Sequence, residues 1–139
     1  MITEDIERLI PQRAPILMVD RLTQVDGAEG KTEFTIKPDN IFLDDDRRLA
    51  EAGLIEHIAQ SASAFAGYQA LEAGATEPPI GYIGEVKKFH CYRRPQAGEV
   101  LHTTVTMGAE VGGVTLLTGA THVGDELVAD TRMKISIEK

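Results

Sequence analysis

Glu56 and Gln60 are the residues of this chain best placed to do chemistry, because they lie four apart in a stretch typical of helix. That spacing puts both side chains on one helical face. A carboxylate is costly to bury without a partner or a purpose. The pattern leaves two interpretations open: Glu56 lies on a solvated side, or it faces a cavity and transfers protons.

The stretch that holds them, residues 49 to 73, is the longest proline-free window that predicts helix. Ile55, Ile58 and Phe65 fall on one apolar stripe at helical spacing. Between Ala59 and Gly67 nearly every residue is Ala, Ser or Gly, so other parts of the chain can approach from several sides. We therefore expect this helix to be enclosed.

The remaining pattern predicts an α+β fold in which an antiparallel sheet buries the long helix. A short helix is expected at residues 3–10, and acidic residues 44–46 suit the N-terminus of the long helix. A buried run from Ile16 leads into a strand ending near Val25, and with residues 31–37 this strand forms a hairpin. After the helix, four strands at about 80–93, 99–111, 114–123 and 126–137 predict an antiparallel meander.

Composition limits the classes of function. The 139 residues predict a single domain, residues 1–139, and the net charge of −8 argues against general nucleic-acid binding. The single cysteine allows no intramolecular disulfide, and no metal site or cofactor is expected. No run is long and apolar enough for a membrane span, and the acidic N-terminus is unlike a signal peptide. These features predict a cytoplasmic protein.

Three motifs together resemble the bacterial 3-hydroxyacyl-acyl-carrier-protein dehydratases of fatty-acid synthesis, whose hot-dog fold wraps a curved antiparallel sheet around a long helix. They are IPQRAPILMVDRL from Ile10, IEHIAQ from Ile55 and YRRPQAGEV from Tyr92. The family's versions are Leu-Pro-His-Arg-x-Pro-x-Leu-x-Val-Asp-Arg-Val, Ile-Glu-Ala-Met-Ala-Gln and Phe-Arg-Arg-Pro-x-x-Pro-Gly-Asp. The three occur in order and cover most of the chain.

The resemblance implies a catalytic role for Glu56 and puts Gln12 at the position of the family's catalytic histidine. It also implies substrate contacts from Gln60, Pro15 and Tyr92, and a homodimer whose pockets form between two subunits. Gln12 of one subunit is then expected within side-chain reach of Glu56 of the other. The family's His-Phe-Pro-Gly-His-Pro stretch before the helix is shortened here to FLDDDRRLAEAG. Because a glutamine amide cannot act as a general base, the resemblance leaves catalysis open.

The implied function is that of a dehydratase-like protein that acts on, or binds, 3-hydroxyacyl thioesters of acyl carrier protein or coenzyme A. A hot-dog acyl thioesterase is the first alternative, because some of these enzymes use an acidic residue on this helix. A non-catalytic partner of an active dehydratase is the second.

Three further expectations concern the histidines and the basic residues. His57 follows Glu56 directly and is rotated about 100° around the helix axis, so it should not replace the missing histidine. His90, His102 and His122 fall in predicted strands and are expected to be structural or exposed. A basic cluster that includes Arg93 and Arg94 could steer an acidic carrier protein.

Overall fold

The computed structural model describes residues 2–138, and for Ile137 and Glu138 the backbone alone. The elements are a 3₁₀ turn (Ile6–Arg8), a helix, α1 (Glu51–Glu72), and six strands: β1 (Arg21–Asp26), β2 (Glu29–Thr35), β3 (Ile80–Cys91), β4 (Val100–Val111), β5 (Val114–Val123) and β6 (Glu126–Glu138). The α+β prediction is confirmed: one long helix packs on a six-stranded antiparallel sheet. Within residues 2–138, no helix is long and apolar enough to cross a membrane.

The strand order across the sheet is β1-β2-β4-β5-β6-β3. The hairpin of β1 and β2 is confirmed, and β4, β5 and β6 form the expected meander. The position of β3 was predicted wrongly, because this strand pairs with β6 at the far edge instead of with β4. The connection from β3 to β4 therefore crosses the sheet, and β2 takes the place beside β4.

The helix is enclosed, as its small residues predict. On the side of the sheet, Ile58 and Phe65 are fully buried against β4, β5 and β6. The N-terminal segment packs from another direction, where Leu9 and Ile10 form a cluster that includes Ala64 of the helix. Burial on both sides fixes the rotation of α1 about its axis and so decides where Glu56 lies.

Two glycines permit this close packing. A Cβ at Gly67 would collide with the main-chain oxygen of Leu9, where the N-terminal segment crosses the helix. At Gly30 on β2, a Cβ would come within 2.6 Å of the Phe65 ring. A larger residue at either position would push the helix away from its neighbours.

Two predictions about helices differ from the structure: the short helix at residues 3–10 and the acidic N-terminus of the long helix. Only the turn Ile6–Arg8 forms between residues 3 and 10, and Pro11 follows soon after. Ala50 is the N-cap of α1 and no side chain caps it. Asp44 and Asp46 instead contact Arg94, which lies just after β3. Their carboxylates form ion pairs with this guanidinium and do not cap the helix.

Candidate functional site

A cleft of about 210 Å³ opens where α1, the start of β3 and the N-terminal segment meet. It is lined by Gln12, Glu56, Ala59, Gln60, Ser63, Gly81, Tyr82, Ile83 and Ile135. We call it the Glu56 cleft. The helix supplies most of the polar groups, and the strands supply an apolar wall. This arrangement answers the question left open by the sequence, because Glu56 is partly buried and faces a concavity.

Gln60 orients Glu56. Its Nε2 donates a hydrogen bond to Glu56 Oε2 at 2.9 Å and another to the main-chain oxygen of Ile16 at 2.9 Å. Its Oε1 accepts from the backbone N–H of Met18 at 2.6 Å. The buried amide of Gln60 therefore forms three hydrogen bonds. One bond orients the Glu56 carboxylate, and the other two hold the chain segment that follows Gln12.

Gln12 lines the same cleft as Glu56 within a single chain. The resemblance led us to expect the two residues to come from different subunits, and the structure brings them together without a second copy. The Oε1 atom of Gln12 is buried and accepts no hydrogen bond from the described residues. Gln12 and Glu56 therefore share one cleft, while the Oε1 atom of Gln12 is enclosed by the atoms around it.

His57 lies outside the cleft, as its position after Glu56 predicts. It is fully buried, with Nδ1 2.6 Å from the main-chain oxygen of Met18 and Nε2 2.7 Å from Thr103 Oγ1. A carbonyl can only accept, so Nδ1 carries the proton, and Thr103 donates to Nε2. Burial lowers the pKa of His57 from 6.5 to about 4, against the opposing effects of the Met18 carbonyl and Asp20. The neutral ring is a structural tie between helix and sheet.

The other three histidines are also remote from the cleft. His90 Nδ1 lies 3.0 Å from Asp130 Oδ1, and His102 Nδ1 lies 3.5 Å from Glu33 Oε1. His122 lies on β5, opposite His102 on β4. Within residues 2–138, none of the four histidines lines the Glu56 cleft. Among the described residues that line the cleft, Glu56 alone carries a carboxyl group.

Two predicted substrate contacts lie away from the cleft lining. Tyr92 is 58% exposed and donates its hydroxyl to Asp130 Oδ2 at 3.1 Å, next to the His90 ring. Pro15 is exposed on the segment between Gln12 and Ile16. The structure brings together Glu56, Gln12 and Gln60, and leaves the substrate contacts of Pro15 and Tyr92 as predictions.

Sequence reasoning missed the other residues that line the cleft. Ser63 lies three residues after Gln60 and seven after Glu56, a helical spacing that would have identified it. Gly81, Tyr82 and Ile83 carry no signal of this kind. A Cβ at Gly81 would lie only 2.8 Å from Ser63 Oγ, so the absence of a side chain there keeps this end of the cleft open.

The basic residues proposed for carrier docking are largely paired within the chain. Arg93 contacts Glu99 at 2.8 Å and Glu126 at 2.9 Å, and Arg94 contacts Asp46 at 2.6 Å. These carboxylates cancel much of the positive field that the sequence suggested. The Arg94 pairs also hold the shortened segment before the helix against the residues that follow β3.

Comparisons with known proteins agree with this geometry. Residues 4–138 match the ApeP-like family, described as ApeP dehydratase. The chain is 31% identical, over 96% of its length and 94% of the relative's, to a 3-hydroxyacyl-[acyl-carrier-protein] dehydratase FabZ of Natranaerobius thermophilus.

Solved structures with lower identity share the fold. The dehydratase heterocomplex ApeI:P from Xenorhabdus doucetiae matches with a TM-score of 0.88 at 17% identity, covering 96% of this chain and 91% of that one. The PaaI protein from the phenylacetic acid degradation operon of E. coli matches with a TM-score of 0.66 at 13% identity, over 83% and 80% of the two chains. The fold, the helix-borne carboxylate and the match along nearly the whole sequence place this chain in the ApeP-like dehydratase family, with the hot-dog fold.

Proposed function

We propose that this protein dehydrates 3-hydroxyacyl thioesters, and that Glu56 is its single proton-transfer group. The observation that carries the proposal is the position of Glu56, held by Gln60 in a cleft with an apolar wall. An acyl chain fits such a wall, while the carboxyl group meets the polar end of the substrate. Membership of a dehydratase family supports the same reaction class.

The chemistry requires one proton to be taken and one to be given. Glu56 as a carboxylate removes the C2 proton, and the electron pair of that C–H bond forms the C2–C3 double bond. The C3–O bond breaks as this double bond forms, and the carboxylic acid just formed protonates the departing hydroxyl. Water leaves, an enoyl thioester remains, and Glu56 is again a carboxylate. One carboxyl group thus suffices when the C2 hydrogen and the C3 hydroxyl lie on the same side of the substrate.

The turnover rate should be limited by the lack of a second acid–base group in the cleft. Gln12 neither gains nor loses a proton near neutral pH, and no histidine of the described chain reaches the cleft. A missing second acid–base group typically costs about 10²- to 10⁴-fold. Turnover by the isolated chain should therefore be slow.

A second subunit would complete the site. Strand β3 is at one edge of the sheet, and its exposed Ile80, Tyr82 and Ile83 are 40%, 54% and 42% accessible. A long edge strand with apolar side chains favours pairing with another strand. Tyr82 and Ile83 also line the Glu56 cleft, so a subunit paired along β3 would cover its mouth. We infer a dimer through β3, either with a second copy or with a related hot-dog chain.

A non-catalytic acyl-binding subunit is the second candidate. The distribution of histidines favours it, because the cleft lacks the residue that makes an efficient base at neutral pH. One structural neighbour is named as a dehydratase heterocomplex. In a complex of that kind, we infer, a different subunit would supply the missing base to this chain at the shared interface. In that arrangement this chain contributes Glu56 or the acyl-binding wall.

Product analysis separates the candidates. The protein is incubated with a 3-hydroxyacyl pantetheine thioester, and enoyl product and free thiol are quantified. Enoyl product that is lost in Glu56→Gln supports the dehydratase. Free thiol would select a thioesterase, and saturable binding without either product would select the acyl-binding subunit. Glu72→Gln, an exposed change near the end of the same helix, is the matched control and should leave the rate unchanged.

A further inference from the structure

The bond between His57 and Met18 lies one step from the amide that orients Glu56. His57 Nδ1 donates to the main-chain oxygen of Met18 at 2.6 Å, and the backbone N–H of Met18 donates to Gln60 Oε1, also at 2.6 Å. Gln60 Nε2 in turn donates to Glu56 Oε2 at 2.9 Å. Met18, His57 and Gln60 are all fully buried. Three hydrogen bonds therefore connect the buried ring to the carboxyl group of the cleft.

The main chain of residues 16–18 decides which end of the Gln60 amide faces Glu56. The N–H of Met18 needs an acceptor and the carbonyl of Ile16 needs a donor. Gln60 must therefore turn Oε1 toward the first and Nε2 toward the second. The same orientation gives Glu56 Oε2 its donor. The reversed amide would set its oxygen against an oxygen of the carboxylate, and no hydrogen bond would hold Glu56 in place.

His57 holds Met18 where Gln60 needs it. The two helix residues lie three apart on α1, so they bind the two main-chain groups of Met18 from one side of the helix. The other ring nitrogen of His57 accepts from Thr103 on β4, which fixes the ring against the sheet. Without the Nδ1–H donor, the Met18 carbonyl would be unpaired in a buried site, which favours movement of the segment toward another partner. The Gln60 amide would then be free to turn.

We propose that His57 is a positioning residue of the dehydration: by holding Met18, it keeps the Gln60 amide turned so that Nε2 donates to Glu56. The inference rests on the proposed function, and it gives His57 no contact with the substrate. His57 acts on Glu56 only through the bond to Met18, whereas its bond to Thr103 contributes to stability. A side chain with a donor at the place of Nδ1 should therefore support turnover, and one with a donor only at the place of Nε2 should not.

Two amide substitutions separate the two nitrogens of the ring. His57→Asn keeps an N–H near the place of Nδ1, and His57→Gln puts its amide near the place of Nε2, next to Thr103. The control is Thr32→Val, which removes another buried hydrogen bond between helix and sheet, made by Ser61 one turn further along α1. Enoyl product from a 3-hydroxyacyl pantetheine thioester gives kcat and KM, and urea unfolding gives stability. NMR of the ¹⁵N-labelled Gln60 side-chain amide reports its hydrogen bonds.

His57→Gln should lower kcat at least about tenfold with little change in KM, because a misdirected carboxylate still leaves the binding wall intact. His57→Asn should retain most of the wild-type kcat. Thr32→Val should be less stable than the wild type and turn over at the same rate. The Gln60 amide signals should move in His57→Gln and stay near their wild-type positions in the other two variants. Equal kcat in His57→Asn and His57→Gln, or a kcat that follows stability in all three variants, would overturn the inference.

The amide signals distinguish this inference from the proposed function. A wild type that forms no enoyl product would overturn the proposed function, and the signals alone then decide whether His57 orients Gln60. Signals that do not change in His57→Gln would overturn the role of His57 whatever the activity. If His57→Gln does not fold, His57→Leu combined with Thr103→Val replaces it, because apolar replacement of both partners can be nearly neutral for stability. This double variant also lacks the donor to Met18 and should show the same loss of kcat.

Discussion

The buried imidazole of His57 should make the stability of this protein fall between pH 7 and pH 5. Burial lowers its pKa from 6.5 to about 4 in the folded protein, while the unfolded chain retains the ordinary value. Between these two values the unfolded state binds more protons than the folded state. The free energy of unfolding is therefore highest above about pH 6.5, and it decreases as the pH falls toward 4.

The size of the effect follows from the two pKa values. Linkage gives a loss of about 2 kcal/mol between pH 7 and pH 5, and about 3 kcal/mol by pH 4. The bonds that fix the neutral ring are the Met18 carbonyl on Nδ1 and the Thr103 hydroxyl on Nε2. Protonation would place a second proton on Nε2, facing Thr103 Oγ1, in a site beside the Phe34 ring. The hydroxyl would then have to reverse its direction, and the charge would be poorly solvated.

Urea unfolding at pH 7, 6 and 5 measures this loss, and His57→Asn provides the comparison. The asparagine amide can still donate to the Met18 carbonyl but does not titrate. His57→Asn should be less stable at pH 7, and its stability should change by about 2 kcal/mol less than that of the wild type between pH 7 and pH 5. The other three histidines and the carboxylates are common to both proteins. The same pH dependence in the two proteins would refute the reasoning.

Three further changes have defined outcomes. Thr103→Val should lower the free energy of unfolding by about 1–3 kcal/mol, because it leaves His57 Nε2 without a donor. Thr121→Val removes only the hydroxyl that bonds to Thr103, so urea unfolding should show a smaller loss for this variant. Gly81→Ala should weaken binding of a 3-hydroxyacyl amide, because its Cβ would reach Ser63 Oγ, and adding Ser63→Ala should restore part of the affinity by calorimetry. Ile83→Lys should shift the protein from dimer to monomer in sedimentation velocity, because it places a charge on the free edge of the sheet.

Each of these has a result that contradicts it. Equal losses for the two threonine changes would mean that the ring is not held as a neutral Nδ1–H tautomer. Unchanged affinity in Gly81→Ala would separate ligand binding from that end of the cleft. Val111→Lys, at the exposed end of β4, is the control for Ile83→Lys. A dimer that survives Ile83→Lys as well as Val111→Lys does not form along β3.

The sequence predicted those features of the fold that depend on neighbouring residues. Gly112-Gly113 and Gly124 mark the turns around β5, and both φ values at the glycine pair are positive, as tight hairpins require. The helix was identified from its apolar spacing and lack of proline. The placement of β3 beside β6 could not be predicted this way, because strand order depends on which distant edge is free once β2 has paired with β4.

The same distinction applies to the site. Glu56 and Gln60 were identified from their spacing on one helix, and Gln12 from a motif. The structural role of His57 could not be identified in this way, because its partners Met18 and Thr103 are 39 and 46 residues away in the sequence.

The most direct test of the account is the fate of a 3-hydroxyacyl pantetheine thioester in the presence of the wild type and Glu56→Gln. The change is isosteric and keeps an oxygen for Gln60 to bind, so the cleft should be preserved while proton transfer is lost. Mass spectrometry of the thioester should show loss of water with the wild type and a rate at least about 10²-fold lower with the variant. Water loss at the same rate in both proteins, or release of free thiol in place of enoyl product, would contradict the assignment of Glu56 as the proton-transfer group of a dehydratase.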